Sequence, residues 1–281
     1  MAPRCSNCNQ PLTGPYCSQC GEPVRNPDDL TLRGFLIKSA ATLLDLERGL
    51  FGTLHRLVTK PGQLTQEFLR GRRKTQVHPF RLFLMINVLY FFLQPMLLSN
   101  TYNTRLKGHM NRQYYSPQVR QMITQTLATR KIDFETYAEQ FDKTTSKLTS
   151  LFMITLVPLL ALITAFLFRK AGVPAVGHLV FALHFFSFFL LLGSIGFGLV
   201  LHGLFILYKA MGWKAGSLFN EVVLSSSMLM IAMFYLQPAF RRVFGGGFWR
   251  SLGMAFVIGL LLFPIIITYR YGLFLVTWVW V

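Results

Sequence analysis

A polytopic, all-α membrane helix bundle of about five spans is the fold class this chain predicts, and three observations carry the prediction. Hydrophobic residues make up 52% of the 281 and charged residues only 14%, where a soluble domain keeps about a quarter of its residues charged. The apolar residues are gathered into blocks, five of them long enough to cross about 30 Å of hydrocarbon at about 1.5 Å per residue. The cations, which outnumber the acids 28 to 11 for a formal charge of +17, cluster at the ends of those blocks. So basic a balance could point to nucleic acid, but cations that flank apolar segments face anionic headgroups instead.

All four cysteines fall in the first twenty residues, as Cys5-Ser-Asn-Cys8 and, after a gap of eight residues, Cys17-Ser-Gln-Cys20-Gly21. Two CxxC turns present four thiolates that converge on one point, the donor set of a tetrahedral S4 site. Residues 1–25 therefore read as a minimal zinc ribbon, or knuckle, with almost no core and with folding coupled to metal. Gly14 and Gly21 ease the backbone, and Pro11 and Pro15 turn the connection. Zn2+ is expected on Cys5, Cys8, Cys17 and Cys20; iron in a rubredoxin-like site and redox dithiols are the alternatives. Thiols used this way fit a reducing compartment. No apolar h-region occupies the first thirty residues, so the N-terminus is expected to be retained. With Arg4 and Arg25 as its flanking cations and Tyr16 as its stacking aromatic, the knuckle lacks a nucleic-acid footprint. A structural role or contact with a protein partner is the expectation.

Residues 26–78 read as a cytosolic amphipathic helical connector. Leu50, Phe51, Leu54, Leu57 and Val58 form one helical stripe, and Leu32, Phe35, Leu36 and Leu43 suggest an earlier one. Pro61-Gly62 interrupts, then Leu64 and Phe68 open a third helix that Gly71 can end. These stripes could lie on the membrane surface or close on one another as a small domain. Arg70-Gly-Arg72-Arg73-Lys74 comes directly before the first span. Holding that end against a cytoplasmic anionic leaflet is its simplest role, and a phosphate site the sharper one.

Residues 79–281 hold the expected spans: Phe80–Leu98, Leu151–Phe168, Leu179–Leu207, Leu218–Leu236, and a fifth from Leu252 past Pro264 and Arg270 toward Val281. The third exceeds what a vertical helix needs. Between the first two, residues 99–148 predict a helical extracytoplasmic insert. Ser116-Pro117 starts a stripe of Val119, Met122, Ile123 and Leu127, and Asp133 caps a helix with Phe134, Tyr137, Ala138 and Phe141. Arg70 to Lys74, Arg169-Lys170, Arg241-Arg242 and Arg250 share one side, which places the N-terminus in the cytoplasm. The eight cations of residues 99–148 run against that rule.

Ionisable groups inside spans are functional leads by default. Glu221 and Arg270 are expected to pair within the membrane. His178, His184 and His202 lie on the third span at spacings that make no local metal site, and packed or capping roles are expected. His78-Pro79-Phe80-Arg81 sets a helix start beside Arg72 and Arg73, a cationic collar suited to an anionic group or to plain anchoring. No hydrolase elbow, phosphate-binding glycine loop, HExxH or intramembrane carboxylate cluster appears, so nothing argues for an enzyme.

The order of blocks is distinctive: CxxC and CxxCG, Lys60-Pro61-Gly62, Phe68-Leu69-Arg70-Gly71-Arg72-Arg73, His78-Pro79-Phe80-Arg81, and His178-Leu-Val-Phe181-Ala-Leu-His184. It resembles an uncharacterised family of bacterial inner-membrane proteins, known only as a domain of unknown function. The resemblance covers nearly the whole chain and implies a multi-pass location in the bacterial inner membrane. It implies no activity. Two functions stand as expectations. One is a non-enzymatic scaffold or regulator with a cytosolic zinc-binding knuckle; the other is a transporter or channel for a small solute, ion or lipid. An odd span count without internal repeat, and few intramembrane charges, weigh against the second.

Overall fold

The computed structural model describes residues 4–24, 30–41, 49–74, 76–97, 102–212 and 221–281. Among these residues the regular structure is helical, apart from two isolated bridges near the N-terminus. The helices are α1 (Leu32–Ala41), α2 (Leu50–Thr59), α3 (Gln63–Leu69), α4 (Pro79–Leu93), α5 (Leu106–Asn111), α6 (Ser116–Arg130), α7 (Phe134–Phe152), α8 (Leu156–Leu167), α9 (Ala175–Phe188), α10 (Phe197–Ala210), α11 (Glu221–Phe244) and α12 (Phe248–Trp280). A 3-10 turn, Met153–Thr155, joins α7 to α8, and a π-helical segment, Phe189–Gly196, joins α9 to α10.

Among the described residues three rods are long and apolar enough to cross a membrane: Phe134–Leu167, Ala175–Ala210 and Phe248–Trp280. The first expected span is shorter than its apolar block. Helix α4 ends at Leu93, and the 3-10 turn Gln94–Met96 follows with a proline in its first two positions. Pro95 offers no N–H and its ring clashes with the carbonyl four residues back, which stops an α-helix there. The fourth expected span begins outside the described residues at Leu218; its helix runs on to Phe244 with Pro238 inside.

The rods alternate in direction. Phe168, just after α8, stacks on Phe244 at the end of α11 at 4.4 Å, and His178 near the start of α9 stacks on Phe244 at 5.1 Å. These termini meet the connector, which in turn holds the knuckle, so this is the knuckle end. At the other end, Tyr90 of α4, Tyr102 and Tyr269 of α12 form edge-to-face contacts at 5.9 and 6.1 Å. Helix α9 occupies the axis. From Val176 to Leu190 every residue except Leu179 is buried, the pattern of a helix that is apolar all round.

The connector's stripes pack into the bundle and form no separate domain. Phe35, Leu57, Leu64 and Phe68 belong to the same buried cluster as Leu82 and Phe83 of α4 and Phe181 of α9. Apolar helix ends left open at the knuckle end give the stripes a better partner than one another. Phe51 falls outside this core and is exposed, and Leu43 lies outside the described residues. Gly62 adopts φ 79°, and a Cβ there would lie 2.8 Å from the Ala239 backbone of α11. The Pro61-Gly62 break thus turns the chain hard against α11, where the Arg242 guanidinium donates to the Pro61 carbonyl.

At the opposite end α5, α6 and the first half of α7 build a cap around the last turns of α12. Leu106, Tyr115, Val119, Ile123, Tyr137, Ala138, Phe141 and Phe274 form its core. Asp133 caps α7 as expected, accepting from Glu135 N at 2.9 Å and Thr136 N at 3.1 Å. Ser116 does not cap α6. It is the first helical residue, and its hydroxyl donates to His109 O at 2.8 Å while accepting from Gln113 N at 3.0 Å. Residues after Arg270 continue α12 without a break. Trp278 Nε1 donates to Thr126 Oγ1 at 3.0 Å, so this tail projects into the cap.

Candidate metal centre and its clasp

The four thiols converge as their spacing predicts. Cys5 and Cys20 sulfurs are 3.6 Å apart, Cys8 and Cys17 sulfurs 3.5 Å, and all four lie within 4.8 Å of one another. A tetrahedral metal about 2.3 Å from each sulfur would hold neighbouring sulfurs about 3.8 Å apart. The set therefore fits a metal ion, and all-thiolate donors suit zinc and iron alike. The backbone favours the charged form. The N–H of Cys20 holds the Cys17 thiol below its ordinary pKa, and the N–H of Glu22 does the same for Cys20.

The knuckle is a repeat of one local design. Cys5 N donates to Gln10 O at 2.8 Å and Asn9 N to Cys5 O at 3.0 Å; twelve residues on, Cys17 N donates to Glu22 O at 2.9 Å and Gly21 N to Cys17 O at 2.7 Å. Bridges pair Arg4 with Pro11 and Tyr16 with Pro23. Asn9 and Gly21 take the same left-handed φ, 66° and 67°, which asparagine and glycine tolerate best.

Where the first copy has Gln10, exposed, the second has Glu22, only 1% exposed. Its carboxylate accepts from the backbone N–H of Arg73 at 2.9 Å and of Lys74 at 3.1 Å. Ser6 Oγ donates to Gly71 O at 3.1 Å, Arg72 Nε to Ser6 O at 2.8 Å, and the Lys74 ammonium to Cys20 O. The basic segment before α4 is thus strapped to the knuckle, largely through its backbone. Charge-assisted bonds of this kind are about twice as strong as neutral ones.

The expected anion-binding residues separate. Arg72 turns to the knuckle, while Arg73 lays its guanidinium 4.4 Å from the Phe68 ring centre. His78 precedes α4, its ring 5.0 Å from Phe35 and 6.2 Å from Phe68. Burial, aided by the charges of Arg73 and Lys38, holds its pKa down to about 4, so the imidazole is neutral at pH 7. Arg81 lies in the first turn of α4 and is 7% exposed. Arg73, His78 and Arg81 therefore gather around the start of α4.

Two histidines of the third rod, His178 and His184, pack between helices. His184 Nδ1 shares a 2.8 Å hydrogen bond with Thr65 Oγ1 of α3, and His178 Nδ1 a 3.2 Å bond with Thr164 Oγ1 of α8. Arg270 reaches the cap, donating to Gln113 Oε1 at 3.4 Å. The Glu221 side chain lies outside the described residues, so the expected Glu221–Arg270 pair does too. Glu22 and Thr65 escaped the sequence reading, which gave Gly62 only as part of a break between helices. A twelve-residue repeat, C-S-x-C-x-[Gln/Glu]-Pro, was the available signal for Glu22.

Residues 47–91 match the model of a family described as Protein of unknown function (DUF3667). No curated protein and no solved structure matches the chain. The matched stretch extends through α2 and α3 into α4 and contains the Pro61-Gly62, Arg70–Arg73 and His78–Arg81 blocks. It is the seam that joins connector to bundle.

Proposed function

We propose that this chain is a non-enzymatic scaffold or regulator of the bacterial inner membrane, with one zinc on Cys5, Cys8, Cys17 and Cys20. In this reading all five rods cross the bilayer. The three long apolar rods set the membrane plane, and α4 and α11 alternate with them. The knuckle end lies in the cytoplasm, because the clusters around Arg72, Arg169 and Arg241 gather there and cations mark the inner face. Arg73, His78 and Arg81 then stand at headgroup depth, which suits an anionic lipid.

The observation that carries the scaffold reading over a transporter is the position of α9. Secondary transporters keep their substrate site near mid-membrane, on broken helices with exposed backbone. Here the axis is filled by Phe181, Phe185, Phe188 and Leu190, all buried. Filled space on the axis supports a rod that holds things in place. The knuckle, fixed to the bundle and exposed at Tyr16, is the part that could meet a protein partner.

Two measurements test this. Elemental analysis of protein purified under reducing conditions should find about one zinc per chain, a closed four-thiolate site; iron in its place would refute zinc. A photo-crosslinker at Tyr16 in cells should trap a discrete protein that is lost with Cys17→Ser. No adduct, together with protein-dependent solute flux into vesicles, would favour the transporter.

A further inference from the structure

Helix α4 shows its outward stripe on Met85, Val88 and Phe92, the last two 68% and 75% exposed. Arg81 starts that same stripe, four, seven and eleven residues before them, spacings that share one helical face. Yet Arg81 is buried. The stripe is therefore covered at the knuckle end only. Helix α1 comes to this level: the Phe35 ring lies 5.0 Å from that of His78, one turn before Arg81. So α1 stands level with the first turn of α4, where it packs on α9.

Helix α1 turns Phe35 and Ser39 inward, both buried. Its other side carries Leu32, Leu36 and Ile37, 50%, 59% and 59% exposed, beside exposed Arg33 and Lys38. Three large aliphatics with two cations, held where a span begins, match what an interfacial helix presents to lipid. We propose that α1 lies in the membrane interface, with Leu32, Leu36 and Ile37 among the upper acyl carbons and Arg33 and Lys38 on the phosphates of anionic phospholipid. This inference rests on the membrane reading of the bundle. It assigns the lipid-contacting side of the connector to residues other than the buried stripe.

The test uses the full chain in nanodiscs of phosphatidylcholine and phosphatidylglycerol in equal amounts. A benzophenone amino acid replaces Ile37, Phe92 or, as an aqueous control, Gln10. Lipid adducts are expected at positions 37 and 92 and not at 10. At position 37 phosphatidylglycerol should be favoured by roughly fivefold or more, since one cation near an anionic surface contributes about 1 kcal/mol. Arg33→Gln combined with Lys38→Gln should abolish that preference. A lipid adduct at 92 without one at 37, or a protein adduct at 37, would overturn the proposal while leaving the membrane reading intact. An adduct at 37 with no lipid preference would remove the anionic part. No lipid adduct at 92 would remove the membrane reading and the proposal with it.

Discussion

At the knuckle end the bundle is closed by four thiols, a buried carboxylate and backbone hydrogen bonds to residues 71–74; at the cap end it is closed by aromatic rings. Phe274 of α12 lies 5.3 Å from His109 and 5.7 Å from Phe141, and Tyr115 lies 4.8 Å from Tyr271. The two closures differ in what they depend on. Residues 4–24 have almost no apolar core beyond Cys5 and Cys17, so a metal on the four thiols, with a few polar contacts, would supply their order. The cap buries rings and needs no ligand. A metal on the thiols would therefore switch one end and leave the other as it is.

The largest effect expected at the cap follows from Phe274, fully buried among rings. Phe274→Ala should cost about 3–5 kcal/mol, as for large-to-small core changes generally. Thermal unfolding in detergent should record it while metal content stays unchanged. A loss of metal in that variant would show that the two ends are coupled.

The next effect tests how the knuckle end is joined to the bundle. Gly62→Ala places a Cβ in the left-handed region against the Ala239 backbone, which should cost about 2–4 kcal/mol from the backbone and the overpacking together. The loss should appear as faster hydrogen exchange in α3 and the end of α11. Unchanged exchange there would mean that the Pro61-Gly62 turn does not dock the connector.

Part of this arrangement was legible beforehand. Cys5, Cys8, Cys17 and Cys20 could be read because CxxC turns report a local geometry, and Asp133 because a cap bonds residues next to it. Glu22 could not, since its partners lie 51 and 52 positions along the chain. Arg72 and Arg73 read as charges for lipid, whereas the knuckle takes the Arg72 guanidinium at Ser6 O and, from Arg73, the backbone N–H. The end of α12 looked like more membrane span because Phe274 and Leu275 are as apolar as lipid-facing residues. Only the cap, folded from a distant segment, shows them to be a protein core.

The central claim is that a metal on the four cysteines holds the segment that leads into α4. Hydrogen exchange at the Arg73 and Lys74 amides, before and after metal removal by a chelator in reduced full-length protein, tests it most directly. With metal, both amides should be protected through Glu22; Glu22→Ala should expose them while metal stays bound, at a cost of about 2–3 kcal/mol for bonds to a charged acceptor. After chelation, protection should vanish at these amides and across residues 4–24 and persist in α9 and α12. Amides of Arg73 and Lys74 that stay protected without metal, or α9 opening together with the knuckle, would contradict the account.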